Sequence, residues 1–384
     1  MSTPPETFSQ LANQVNKNFS YAIQLALGSV LPMAMKTAFE LGIFEIIAKA
    51  GAAAKLSVMD IGAKLPTNNP DAPNMLDRIL RLLVSHSVLA CSHATDSQGI
   101  QTRLYSLLPV AEFFVADADG VSLGPLLTLL QDKVYLESWP ALKDAVLDGG
   151  IAFDRVHGMH VPALKDAVLD GGIAFDRVHG MHVYEYPKND PGFGRNFNMA
   201  VMNHSTIVIR KLLESYKGFE QIKQLIDIGG GLGLTLNIIT SKYPHIKGVN
   251  FDLPRVIEEA QSYPGVEHVA GDMFESVPEG EAMFMKWILH NWSDEYCLKL
   301  LKNCHKALAA DGKLIVMDAV VPVMPDSSVA DKEIAHMDVF MMAQDHGGKE
   351  RTQQEFLTLA TGAGFSSVKL VCNVCNFGVM EFYK

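Results

Sequence analysis

The sequence predicts a mostly helical N-terminal domain over residues 1–190 and an α/β domain over residues 191–384, the latter a doubly wound sheet of seven mainly parallel strands. Three observations carry this. Residues 19–50 are rich in helix formers and apolar on nearly every face. From Gln224 onward, short apolar runs alternate with helical stretches, the pattern of strands connected through crossover helices. A glycine loop, Gly229-Gly230-Gly231-Leu232-Gly233, follows the first of those runs.

Helices as apolar as FSYAIQLALGSVLPMAMKTAFELGIFEIIAKA bury against a partner or within the core of one subunit. Pro32 is their expected break, because proline removes a backbone donor. MLDRILRLLVSHSVLA adds a further helix, and the segment to about residue 190 continues in the same manner. Inside it, residues 140–161 (PALKDAVLDGGIAFDRVHGMHV) recur without change as 162–183. One perfect copy pair is unlike the diverged series of a solenoid, so it reads as a tandem duplication within one domain. It doubles a His-x-x-His pattern at His157, His160, His179 and His182; copying alone explains this, and no metal site is expected there. Deleting residues 151–172 should leave a protein of unchanged oligomeric state, at least as stable to heat and with its activity unchanged, as thermal melts and assays would show. Loss of folding or of activity would make the insertion functional.

The runs of the second domain are LIDIG, GVNFD, VEHVAGD, AMFMKW, KLIVMD, SVKLVC and VMEFY. The last two lie close together, which permits a final antiparallel hairpin. Ligands bind at the carboxyl ends of strands in such sheets. The residues found there are Asp227, Asp252, Asp272, Lys286 with His290, and Asp318. The glycine loop lets backbone approach a ligand and aims helix amides at an anionic group. A dinucleotide fingerprint would need glycine at 234, where leucine stands, which disfavours a nicotinamide-dependent reductase. Asp252 suits ribose hydroxyls of any adenosine-type cofactor. Ser293 is placed to cap a helix whose first turn holds Asp294 and Glu295 and whose buried face holds Cys297, Leu300, Leu301, Cys304 and Leu308. His290 then falls in the loop between strand end and helix start.

Composition narrows the function classes. The 32 basic against 43 acidic residues give a net charge of -11, with no basic stripe to neutralise phosphates, so a nucleic-acid partner is not expected. The start, MSTPPETFSQLANQVNK, lacks the features of a secretion signal, and no apolar stretch reaches membrane-spanning length. A cytoplasmic protein with no membrane partner is expected. Its five cysteines do not complete a zinc set around Cys372 and Cys375, and reduced thiols are expected.

SVLPMAMK and NPDAPNMLDRILRLL near the start, then LIDIGGGLG, GVNFDLP, VEHVAGDMF, MKWILHNWSDE and GGKERT, resemble the plant caffeic acid O-methyltransferase family. The likeness covers essentially the whole chain apart from one copy of the duplication. It implies a class I, Rossmann-like methyltransferase domain and an N-terminal domain with a winged-helix-like part and dimerisation helices. A homodimer is implied, as are S-adenosyl-L-methionine as donor, S-adenosyl-L-homocysteine as product, and no metal. The implied acceptor is a small phenol: a phenylpropanoid, lignan, coumarin, flavonoid or alkaloid. By the same resemblance Gly229 and Gly231 hold the methionine part of the donor, and Asp252 holds the ribose beside Leu253. Asp272 and Met273 flank the adenine, and Lys286 and Ser205 complete that site. His290 is implied as the catalytic base, oriented by Asp318 and Glu350. The pocket walls are implied to be Leu130, Tyr135, Phe193, Phe197, Val201, Trp287, Asn291, Met337, Phe340, Met341 and Asp345, with Leu130 and Tyr135 supplied by the helical domain.

The role of His290 agrees with elementary chemistry. A phenol of pKa about 10 is roughly one part in a thousand ionised at neutral pH, which costs an unassisted attack about 4 kcal/mol. A neutral imidazole, with a pKa near ~6.5, can take that proton as the oxygen attacks. Four positions depart from the family pattern. Asp318 stands in place of glutamate and reaches one methylene less; Leu130, Asn291 and Asp345 replace an asparagine, an aspartate and an asparagine. The last three stand where polar groups hold ring oxygens in the caffeate enzymes, so an acceptor other than caffeate is expected. A non-catalytic binding protein of the same fold is the remaining alternative, which a turnover assay separates.

Overall fold

The computed structural model describes residues 8–95, 101–137, 139–148, 191–324, 326–344 and 347–384. Most of the first copy of the repeat, the whole of the second, the four histidines of the two copies, the expected boundary at residue 190 and Asp345 lie outside the described residues. The chain forms two compact units, Met1–Gln131 and Asp132–Lys384.

In the first unit, α1 (Phe8–Ala26) and α2 (Val30–Glu40) meet at a bend of 58°. The break falls before Pro32, which instead sits in the first turn of α2, where its missing N–H has no intrahelical partner to lose. Phe19 and Leu25 on α1 and Leu27 in the turn after it are 67%, 63% and 56% exposed, far more than such side chains keep in a core. Among the described residues, no single helix is long and apolar enough to cross a membrane. Helices α3 (Ile43–Lys49), α4 (Val58–Gly62) and α5 (Ala72–Ser85) pack with the antiparallel pair β1 (Leu89–Thr95) and β2 (Gln101–Leu107), the winged-helix-like part. Phe44, Ile47, Leu80, Leu83 and Tyr105 form its core. Tyr105 is buried because its hydroxyl donates to Asp77 Oδ1 at 2.6 Å. Short helices α6 (Pro109–Glu112) and α7 (Gly124–Leu130) close the unit.

The second unit begins with α8 (Lys133–Leu136) and α9 (Leu142–Asp148), resumes at α10 (Pro191–Ser215), and is then built on one sheet. The strands are β3 (Gln224–Ile228), β4 (Lys247–Asp252), β5 (Val266–Ala270), β6 (Gly280–Lys286), β7 (Leu308–Val321), β9 (Ser367–Val374) and β10 (Phe377–Tyr383). Their spatial order is β5-β4-β3-β6-β7-β10-β9, with β3 to β7 parallel and β10 antiparallel to both neighbours. The expected final hairpin is present. Its two-residue turn, Cys375-Asn376, has positive φ at both positions (48° and 63°), as the strand twist favours. A further two-residue strand, β8 (Arg351–Thr352), pairs in parallel with the end of β7.

The strands read as continuous apolar runs because both sheet faces are covered. Ile226, Ile228, Met283, Met285, Leu314 and Val316 point to one face, against α13 (Asp294–Ala307) and α15 (Gln353–Ala363). Leu225, Ala282, Phe284, Ile315 and Met317 point to the other, against α10 and α11 (Leu234–Lys242), and the short α12 (Pro254–Glu258) follows β4. Alternation thus leaves the strand ends as the place where polar groups collect.

Candidate active site

The loop after β3 is built around glycine for two separate reasons. A Cβ at Gly230 would lie 2.2 Å from Asn250 Oδ1 and 2.7 Å from Asp227 Cγ, so no side chain fits. Gly231 has φ +59°, in the left-handed region glycine adopts freely. Its N–H donates to Asp252 Oδ2 at 2.8 Å, and Asp252 Oδ1 accepts Leu253 N–H at 2.7 Å. Burial raises the Asp252 pKa, while these two backbone bonds oppose the rise. Two residues missed in sequence support the loop. Asn250 Nδ2 donates to Gly231 O at 2.8 Å and lies 3.1 Å from His268 Nδ1, while His268 Nε2 lies 2.8 Å from Gln261 O. An asparagine inside the apolar run GVNFD was the available signal.

Asp227, at the end of β3, is buried with Oδ2 lacking a hydrogen-bond partner. Burial pushes its pKa up to about 8, with the Asp252 charge adding and Lys286 opposing. Burial also pulls Lys286 down to about 7, against the pull of Asp318 and Asp227. Lys286 Nζ donates to Ser205 Oγ at 3.1 Å and sits 3.9 Å from the centroid of the Trp287 ring. Asp272 Oδ1 accepts Phe274 N–H at 2.8 Å, and Met273 O accepts Asn303 Nδ2–H at 2.9 Å, which shapes the turn after β5.

Beyond β6, Trp287 has φ +56°, a conformation costing a non-glycine residue about 1–3 kcal/mol unless its surroundings enforce it. They do: its N–H is shared between Asp318 Oδ1 at 2.9 Å and Met317 O at 3.2 Å. Its ring stacks on His204 at 4.1 Å and lies nearly parallel to His290 at 5.8 Å. His204, also missed in sequence, is driven down to about 2 by burial and by Lys286, and is therefore a neutral ring. The signal was its place one residue before Ser205 in α10.

His290 lies in a 3₁₀ turn, Leu289–Asn291, and Ser293 caps α13 as expected, accepting Tyr296 N–H. His290 and Glu350 are both buried, and His290 Nδ1 meets Glu350 Oε1 at 2.9 Å. The two expected orienting carboxylates are therefore used differently. Glu350 holds the ring, whereas Asp318 holds the Trp287 amide and acts on His290 through its charge. Asp318 is buried with Oδ2 unpartnered, and its pKa is pushed up to about 7 by burial, with His290 and Arg351 opposing and Glu350 adding.

Four of the residues expected as pocket walls form an aromatic cluster. Tyr135 meets Phe193 edge-on at 5.5 Å and Phe340 at 5.1 Å, and Phe193 lies 6.4 Å from Phe197. Tyr135, expected from the helical domain, thus belongs to the second unit. Met337, Phe340 and Met341 share α14 (Val329–Gln344), and Val201 lies on α10. Leu130 ends α7 of the first unit. Asn291 Nδ2 is committed to Trp287 O at 3.0 Å. Among the described residues, no group of three or more His, Cys, Asp or Glu is arranged to hold a metal ion.

Comparison with known proteins matches this architecture. Residues 161–366 fit the model of an O-methyltransferase domain, and residues 23–117 that of an O-methyltransferase dimerisation domain. The chain is 53% identical to caffeic acid 3-O-methyltransferase of Medicago sativa, covering 95% of this chain and 94% of that one. It is 51% identical to anthranilate N-methyltransferase of Ruta graveolens, covering 96% and 94%. Human N-acetylserotonin methyltransferase, solved in complex with SAM, superposes with a TM-score of 0.72 at 19% identity, covering 100% and 99%. With its fold, glycine loop and strand-end residues in these places, the chain belongs to the O-methyltransferase family, as an enzyme that draws its methyl group from S-adenosylmethionine.

Proposed function

We propose that the enzyme methylates a phenolic hydroxyl of a plant secondary metabolite, with His290 as the general base. The contact between His290 Nδ1 and Glu350 Oε1 at 2.9 Å carries this reading. An Nδ1–H held by a carboxylate leaves Nε2 as the basic nitrogen, and the same carboxylate stabilises the imidazolium that proton uptake creates. The residues present fit the donor. A Cβ at Gly231 would meet nothing within 4 Å, so the loop leaves open space there, Asp227 offers a buried unpartnered oxygen to an amino group, and Asp252 ends β4 with lone pairs for ribose hydroxyls. Asp272, Met273, Lys286 and Ser205 complete that side. When bound, S-adenosylmethionine supplies an electrophilic methyl group.

The protein's own part is to exclude water, orient a flat acceptor and remove one proton. Tyr135, Phe193, Phe197 and Phe340 give the ring an apolar surface, and Trp287 lies beside the base. Glycine-loop contacts hold the donor side independently of His290. A homodimer is supported by the matched dimerisation domain and the exposed apolar residues of α1 and α2.

Incubation with S-adenosylmethionine and a panel of phenylpropanoid, coumarin, flavonoid, lignan and alkaloid phenols, read by mass spectrometry, should show one acceptor gaining one methyl. Anthranilate belongs in the panel because a relative is named for its N-methylation. Methylation of anthranilate with every phenol inert would overturn the phenolic reading.

A further inference from the structure

We propose that Arg351 is a positioning residue for the base, clamping the turn that carries His290 so that Nδ1 meets Glu350. The inference rests on the reading of His290 as the base. Arg351 is fully buried, an environment a guanidinium tolerates only when its donors are matched. Nη1 donates to Leu289 O at 2.7 Å, Nη2 to Trp292 O at 2.7 Å and Asp294 Oδ1 at 2.8 Å, and Nε to the same Oδ1 at 2.9 Å. Two of these acceptors are backbone carbonyls on either side of His290. A cation serving only charge balance would be satisfied by Asp294.

The turn itself is weakly closed. Asn291 N–H reaches Ile288 O at 3.2 Å and Trp292 N–H reaches Leu289 O at 3.3 Å, so its shape depends on outside partners. The neighbours of Arg351 act on the same turn: Lys349 N–H donates to His290 O at 3.0 Å, and Glu350 meets the ring. The clamp is referenced to the sheet, because Arg351 pairs with Val320 of β7, two residues beyond Asp318. It is also referenced to α14, because Glu350 N–H donates to Asp338 Oδ1 at 2.9 Å. Lysine at 351 would keep the charge but lose the planar fork that spans three acceptors.

The test uses the full-length enzyme with S-adenosylmethionine and two acceptors, catechol and 4-nitrocatechol. The nitro group brings one phenol close to ionisation at neutral pH, so that acceptor needs the base far less. Arg351→Lys and Arg351→Met should lower kcat about 100-fold on catechol but less than about fivefold on 4-nitrocatechol, with KM for the donor within about twofold. Equal losses on both acceptors, a loss below about threefold on catechol, or an effect confined to KM would overturn the proposal. His290→Ala separates the two readings. If it fails to discriminate between acceptors, the base assignment fails; if it discriminates and Arg351→Lys does not, only the role of Arg351 fails. Should the Arg351 variants not fold, Asp294→Ala removes the acceptor of two guanidinium bonds from an exposed side chain. About a tenfold loss confined to catechol is then expected, and an unselective loss or none refutes the clamp.

Discussion

His290→Ala is expected to lower turnover about a thousandfold, the middle of the range a positioned general base contributes. The acceptor would then have to ionise unaided, and a phenol of pKa about 10 does so to roughly one part in a thousand at neutral pH. His290→Gln should fall as far, because an amide can still donate to Glu350 but cannot take a proton. Calorimetry with S-adenosylhomocysteine should give affinities for both variants within about threefold of wild type, since on the proposed reading the base acts on the acceptor and not on the donor. If either variant kept turnover within about tenfold of wild type, the base assignment would be wrong.

Asp252→Ala should weaken S-adenosylhomocysteine binding by at least about 100-fold. A bound ribose would lose hydrogen bonds to a carboxylate, each worth about 1.5–3 kcal/mol. Gly231 N–H and Leu253 N–H would lose their acceptor as well, loosening the glycine loop itself. Asp252→Asn keeps one acceptor oxygen and should fall between the two. Titration calorimetry reads both, and an unchanged affinity in Asp252→Ala would remove the residue from the site.

Much of the candidate site's placement was legible because a doubly wound sheet brings strand-end residues together at one edge. Asp227, Asp252, Asp272, Lys286 and Asp318 could be named from the end of each apolar run, and all five stand at or just beyond strand ends or, for Asp318, near the end of β7. Ser293 capping α13 was equally local. The supports were not legible. Asn250 reads as an interruption in a strand, yet it is fully buried and braces Gly231. Arg351 reads as one charge in GGKERT, yet it bonds two backbone carbonyls of the turn that carries His290. The break between α1 and α2 was misplaced at Pro32 because proline suits a helix's first turn as well as its end.

The sequence by itself determined the succession of strands and helices, the glycine loop and the family, because periodicity, caps and contiguous motifs are local properties of a chain. Only the tertiary structure decided how the carboxylates divide their work. His290 and Glu350 are 60 residues apart, Arg351 and Leu289 62, and Asp318 and Trp287 31. Those distances close through the pairing of β8 with β7 and of β7 with β6, which sets one register for all three contacts. Within that register the short side chain of Asp318 reaches the Trp287 amide, and Glu350, carried in beside Arg351, takes the imidazole. A change of one methylene is visible in sequence, but its consequence depends on where the backbone stands when the sheet is complete.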